Sequence, residues 1–382
     1  MYDAILFISR HDPSKAGGGC YATRAYLESL IALFPGRVTL LVDRGFEKTV
    51  IYDYEKLADI GYVGNRSRLQ FLKDLFTFRY SKFTRALSLH LRSKKFDLAI
   101  LDNGVVGGSH VKRLKRDKTE VITIHHNNEV EYHKDNRTID SLRGNFTSWI
   151  SRIQRRAYKL SHKNLFLTHA DLLKFENLYG RLPSNHVIGC YEFFKDEPLV
   201  PKVIYDHFNP TNIRLITTGT LSAVQTKESL YWFINNIYQH LDLGQLTVAG
   251  RNPEERLIQF CASHGVHVVA SPDNISATIR EHDIYVCPVN LGGGLKLRIM
   301  DALKVGIICL IQEKSFRGYE ELAKDGFVYS FRDNTDFKQQ LEKCILQIKN
   351  TPNLSAKIQE AYSGIFSFNA GVERLKSIIT QK

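Results

Sequence analysis

The chain has 382 residues, 43% of them hydrophobic and 24% charged, with a formal net charge of +12. That length exceeds one ordinary hydrophobic core and implies two domains, and the composition excludes low-complexity and disordered classes. No apolar run approaches the roughly 18 residues that span a bilayer, and the six cysteines show neither a CxxC pair nor a regular framework spacing, which fits reduced thiols.

The start, Met1-Tyr2-Asp3 followed by AILFI, lacks a basic region and a cleavage site and reads as a first buried strand. From there short apolar, β-branched runs alternate with helical segments, the pattern of βα units around a parallel sheet. In the first half strands are predicted near 4–9, 38–42, 98–101, 121–124, 165–168 and 186–188, with helices over 20–33, 108–116, 149–160 and 170–178. The segment 198–211, with three prolines, is the expected linker. A second series comes next, with strands near 214–218, 245–249, 267–270, 284–287, 307–311 and 327–331. Its helices are expected to begin near residues 227, 253, 275, 295 and 319. This alternation predicts two successive doubly wound α/β domains facing a cleft, in which ligands bind outside the carboxyl ends of the strands.

Charge is unevenly spread. Residues 1–200 hold 32 Lys+Arg against 22 Asp+Glu, so almost all of the excess lies there, with local runs at 112–118 and 152–159. A basic half suits an anionic surface such as a membrane or a lipid pyrophosphate; each run taken singly reads equally well as a solvated helix face. No nucleic-acid motif accompanies the charge, which sets nucleic acid aside as a partner.

Two stretches carry chemistry. The first, CPVNLGGGLKLRIMDALKVGIICL from Cys287 to Leu310, places Lys296 and Arg298 in the first turn of an expected helix, after three glycines. Cations at that end of a helix are unfavourable by a few tenths of a kcal/mol, which makes sense if an anion binds there. A diphosphate is the obvious candidate, and Asp301, on the same face, could accept hydrogen bonds from a ribose. The plainer reading is an ordinary i,i+3 pair of Arg298 and Asp301, worth about 0.3 kcal/mol. The second stretch, VITIHHNNEVEY at 121–132, ends a strand in His125 and His126, with Glu129 three residues on. Paired histidines also bind metals, but no other His or Cys is spaced to complete such a site. A rival reading comes from Gly17-x-Gly19-x-x-Ala22 with Asp43, which formally fits a dinucleotide fingerprint; the loop between Ser9 and the glycines argues against it, because that fingerprint comes directly after its strand.

With these residues in view, the second half resembles the nucleotide-binding domain of GT-B glycosyltransferases, in particular family four, the group 1 retaining enzymes. The landmarks are ITTGT at 216–220, AGRNP at 249–253, GVHVVASPDNISATIREHDIYVCP, and GGGLKLRIMDALKVGI, which together cover residues 214 to 331. The resemblance implies a GT-B fold: an acceptor-side domain over 1–200, a nucleotide-sugar domain over 201–360, and a C-terminal helix over 361–382 packing back on the first. It implies that Lys296 and Arg298 hold the donor pyrophosphate beside the amides of Gly293 and Gly294, with Asp301 on the ribose. Gly219, Lys227 and Arg251 would line the donor, Gly18 and Gly19 would approach it from the first domain, and His126, with His125 and Glu129, would reach the sugar. Two positions depart from the family pattern. Asp301 replaces Glu, and Gly293 stands where the first acidic residue of the family motif usually lies. The chain has no Asp-x-Asp, so no metal and no cofactor is expected. The activity that the resemblance implies is that of a hexosyltransferase-like enzyme moving a sugar from a nucleotide-diphosphate donor, UDP in preference to GDP, to a glycan or lipid-linked saccharide. It further implies retention, and cell-surface polysaccharide or glycoconjugate synthesis as the setting. The expected location is cytoplasmic, peripheral on the inner face of an anionic membrane. The alternatives are a catalytically silent GT-B homologue acting as a partner and an NAD-dependent oxidoreductase.

Overall fold

The computed structural model describes residues 2–15, 17–64, 67–131, 147–193, 203–206, 208–241, 244–292 and 294–381. The chain divides into two compact units, Met1–Lys195 with Ser367–Lys382, and Asp196–Phe366. Each is built on its own all-parallel sheet.

In the first unit seven strands, β1 (Ile5–Ser9), β2 (Val38–Asp43), β3 (Asp59–Val63), β4 (Leu98–Asp102), β5 (Glu120–His125), β6 (Lys163–Phe166) and β7 (Asn185–Val187), lie in the order 3-2-1-4-5-6-7. Their central runs, ILFIS and LAILD, are buried throughout, as strands covered by helices on both faces must be. The order reverses between β1 and β4, where Ser9 pairs with Asp102. Strand β3 is the one strand of this sheet that the sequence did not announce, and the helices Arg68–Thr77 and Thr84–Ser93 went unannounced with it. DIGYV lies at the sheet edge and is half exposed, so it lacks the apolar run that marks its neighbours. The helix Phe368–Thr380 belongs to this unit and packs against the helix Gly18–Leu33. Arg374 Nε donates to the carbonyl of Ile188 at 2.6 Å and Lys163 Nζ to that of Ile378 at 2.9 Å.

The second unit has six strands, β8 (Arg214–Thr220), β9 (Gln245–Arg251), β10 (His267–Ala270), β11 (Ile284–Cys287), β12 (Ile308–Gln312) and β13 (Val328–Phe331), ordered 10-9-8-11-12-13. The reversal here falls between β8 and β11. Both units are therefore doubly wound, and each carries a switch point, where such sheets bind ligands. One local expectation is corrected: the helix after the Gly-rich loop is Arg298–Lys304, and Lys296 precedes it. Gly292 and Gly294 adopt φ of 74° and 78°, a left-handed path that delays helix entry by three residues. Of the expected linker, residues 198–202 and 207 lie outside the described residues; the hydroxyl oxygen of Tyr205 beside them accepts from Ile308 N at 3.1 Å. Among the described residues no helix is long and apolar enough to cross a membrane.

Candidate functional site

In the second unit, Arg298 reaches back across the end of β8. Its guanidinium donates to the carbonyl of Thr218 at 2.8 Å and to the hydroxyl of Thr226 at 3.1 Å. It lies flat on Gly219, where an added Cβ would stand 2.3 Å from a guanidinium nitrogen and where φ is 157°. Only glycine permits this approach. The contacts of Arg298 are with a carbonyl and a hydroxyl, so among the described residues no carboxylate neutralises its charge. Lys296 sits in the loop after β11, its Nζ donating to the carbonyls of Gly292 and Leu291 at 3.3 and 3.4 Å. Burial pushes its ammonium down to about 8, and the charge of Arg298 adds to this. Two cations brought together at a switch point are arranged for an anion. Gly294 precedes Lys296 in the same loop; Gly293 lies outside the described residues.

The other donor-side candidates are placed less tightly. Arg251 is exposed at the end of β9, and Asp301 is exposed on the first turn of the helix Arg298–Lys304. Lys227 is engaged in an ion pair with Glu254 at 2.5 Å, so a phosphate would have to compete for it.

In the first unit the carboxyl ends of β1, β4 and β5 converge on Asp102. This carboxylate is fully buried. It accepts from Ser9 Oγ at 2.9 Å, from Thr23 Oγ1 at 2.5 Å, and from His126 Nε2 in a very short contact; His11 Nδ1 is 3.9 Å away. Burial alone would raise its pKa, but the charge of His126 and the donated hydrogen bonds outweigh that and hold it well below the usual carboxylate range. For His126, burial pulls downward, and the Asp102 carboxylate, helped by Glu129, pushes the imidazole above its ordinary 6.5. His126 Nδ1 has no hydrogen-bond partner among the described residues. Ligand-capable atoms of His11, Asp102 and His126 lie within 4.8 Å of one another, while three hydrogen bonds already occupy the carboxylate between them.

Glu129, also buried, accepts from Asn103 Nδ2 at 2.8 Å and lies 3.4 Å from Arg10. Asn103 caps the helix Gly104–Arg116 with φ of 118°, a conformation costing about 1–3 kcal/mol in a non-glycine residue and concentrated at functional sites. Gly18 and Gly19 open the helix Gly18–Leu33, and a Cβ on Gly19 would stand 3.0 Å from the ring of His11. The structure does not bring His125 into this cluster. Its ring stacks on Phe166 at 5.1 Å and contacts Phe175 at 4.6 Å, and its Nε2 pairs with Asn164 at 3.1 Å. Burial pushes it down to about 4, so it is a neutral core ring at neutral pH. The residues that sequence reading missed are His11, Asp102 and Asn103. Each ends or comes just after an apolar strand that has a polar carboxyl terminus, the same signal that marked His126.

Residues 212–347 match the family model of group 1 glycosyl transferases. No significant match by sequence is found among curated proteins. By structure the chain is similar to sucrose-phosphate synthase from Thermosynechococcus elongatus, with a TM-score of 0.70 at 13% identity, covering 99% of this chain and 98% of that one. It is also similar to the lipopolysaccharide outer core galactosyltransferase WaaB, with a TM-score of 0.69 at 10% identity over 98% and 99% of the two chains. HepE from Anabaena, solved with UDP, gives a TM-score of 0.66 at 12% identity over 99% of each. The protein has the GT-B fold of two Rossmann-like units, and the match to the group 1 glycosyl transferase model is confined to residues 212–347 of the second.

Proposed function

We propose that the protein transfers a sugar from a UDP-sugar to a saccharide or lipid-linked acceptor, with retention of configuration and without a metal ion, in the synthesis of cell-surface glycans. The observation that carries this reading is Arg298, lying on Gly219 without a carboxylate partner among the described residues, inside the segment that matches the transferase family. The neighbour HepE has been solved with UDP and with UDP-glucose, which favours uridine as the base.

In this reading Arg298 and Lys296 hold the donor diphosphate and stabilise the charge that develops on it as the glycosidic bond breaks, an effect that preorganised cations deliver without reorganisation. Asp301 would accept from the ribose hydroxyls. The raised His126, held by Asp102, would be a fixed hydrogen-bond donor to the sugar, while Glu129 is oriented by Asn103. Gly19 and His11 would set the approach of the helix Gly18–Leu33. The acceptor oxygen bonds to the anomeric carbon from the face that the diphosphate leaves, and the departing phosphate takes the acceptor proton, so configuration is retained without the carboxylate nucleophile of retaining hydrolases.

The test is a thermal-shift panel of UDP, GDP, ADP, CMP and NAD with EDTA present. Stabilisation by UDP above the others supports the reading, and a response to NAD alone would replace it with an oxidoreductase. Turnover of a UDP-sugar in EDTA would then exclude a silent homologue.

A further inference from the structure

The helix Arg68–Thr77 carries three of its five apolar residues, Leu69, Leu72 and Phe76, on the side away from the protein. Its one fully buried side chain is Asp74, whose carboxylate accepts from Ser81 N and whose carbonyl accepts from Trp149 Nε1, both at 2.9 Å. At about 100° per residue, Leu69, Leu72 and Phe76 form one stripe opposite Asp74. They are 79%, 50% and 82% exposed. Arg68 and Lys73, both exposed, flank the stripe on its two sides. A capping box at Ser67 and Gln70 fixes the start of the helix, so the stripe is presented on a formed element.

Three large apolar side chains in water contribute nothing to folding, and a contiguous exposed apolar stripe marks a docking surface. The charge around it selects the partner. Residues 67–95 contain eight Lys and Arg and a single acidic residue, the buried Asp74. Of the eight, Lys82 is paired with Asp43. Two more cations arrive from the helix Thr147–Leu160: Arg152 lies 4.3 Å over the ring of Phe78, and Arg156 donates to the Phe78 carbonyl at 3.0 Å. An apolar stripe rimmed by cations on a surface helix is the pattern of interfacial membrane binding.

We propose that the helix Arg68–Thr77 docks the first unit on an anionic lipid bilayer, with Leu69, Leu72 and Phe76 entering the boundary between headgroups and acyl chains and Arg68 and Lys73 meeting lipid phosphates. This goes beyond the transferase reading and does not rest on it, because lipid binding is measured without donor or acceptor. It also moves the contact away from the basic run at 112–118. There Arg113 is held by Ser88 Oγ at 2.7 Å and Lys115 by the Leu160 carbonyl at 3.0 Å.

The experiment is flotation of the whole protein with vesicles of phosphatidylcholine alone or in equal parts with phosphatidylglycerol, at physiological salt. Wild type floats with the mixed vesicles and not with the neutral ones. The exposed triple variant L69S/L72S/F76S binds at least about tenfold more weakly, since each side chain withdrawn from the bilayer removes part of its transfer energy. R68E/K73E loses binding to a similar extent, and wild-type binding falls as salt rises. Because all five side chains are exposed, both variants keep the wild-type unfolding temperature, and their thermal shift with UDP separates this proposal from the donor-site reading. Equal binding by wild type and triple variant overturns the proposal. So does a wild-type dimer that the triple variant converts to monomer, which would make a second copy the occupant of the stripe.

Discussion

Substituting Asp102 by Asn keeps the shape of the side chain and removes the charge that His126 faces. Asp102 is wholly buried, and its carboxylate takes hydrogen bonds from Ser9, Thr23 and His126. Breaking a buried pair by removing one partner costs about 3–5 kcal/mol, and the Asn amide would also turn a donor toward hydroxyls that now donate. His126→Gln should cost a similar amount, because it strands the Asp102 charge, while the double variant should cost far less than the sum. A coupling of about 2–3 kcal/mol is expected from chemical denaturation of the four proteins. The pH dependence has a definite sign. His126 is raised in the fold, so its contribution is complete below its ordinary 6.5 and is lost as pH rises through the raised value. Asp102 is lowered, so its contribution is complete above its ordinary 3.8 and is lost as pH falls through the lowered value. The stability gap between wild type and Asp102→Asn should therefore be widest between pH 3.8 and 6.5. A coupling below about 0.5 kcal/mol, with a gap that is flat across pH, would refute the linked charge pair.

Three further outcomes are expected. Gly219→Ala places a methyl group on the Arg298 guanidinium at a strained φ; UDP affinity, read by calorimetry, should fall at least about tenfold through displacement of the cation, with a modest loss of stability. Lys296, held at about 8, must be protonated to meet a diphosphate, so UDP affinity should weaken above that value in wild type and lose that limb in Lys296→Met. Phe in place of His125 keeps the stack on Phe166 and removes one hydrogen bond to Asn164; stability should drop by about 1 kcal/mol and turnover by no more than a few fold. A stable His125→Phe protein with turnover reduced a hundredfold would restore His125 to the site.

Much of this architecture was legible because parallel strands covered on both faces read as unbroken apolar runs, and LAILD and VITIH turn polar at the carboxyl ends of their strands. Strand β3 escaped notice because an edge strand needs no apolar run. The adjacent histidines could not be told apart by residue type. Their roles separate only in three dimensions, where one ring enters an aromatic core and the next meets a buried carboxylate. Asp102 and His11 are far apart in the sequence, and only the reversal of strand order between β1 and β4 brings them together. The start of the helix at Arg298 rather than before Lys296 was hidden for another reason: glycine backbone choices in the loop, not side-chain periodicity, decide where it begins.

The most direct test of the central claim is UDP binding to wild type and to Arg298→Ala, measured by calorimetry with EDTA present. Wild type should bind, and the variant should lose at least about a hundredfold in affinity, corresponding to about 3 kcal/mol for a charged hydrogen-bonding group meeting a phosphate. Equal binding by the two proteins, or no binding of any nucleoside diphosphate by a folded wild type, would contradict the assignment of Arg298 and its loop as a donor site.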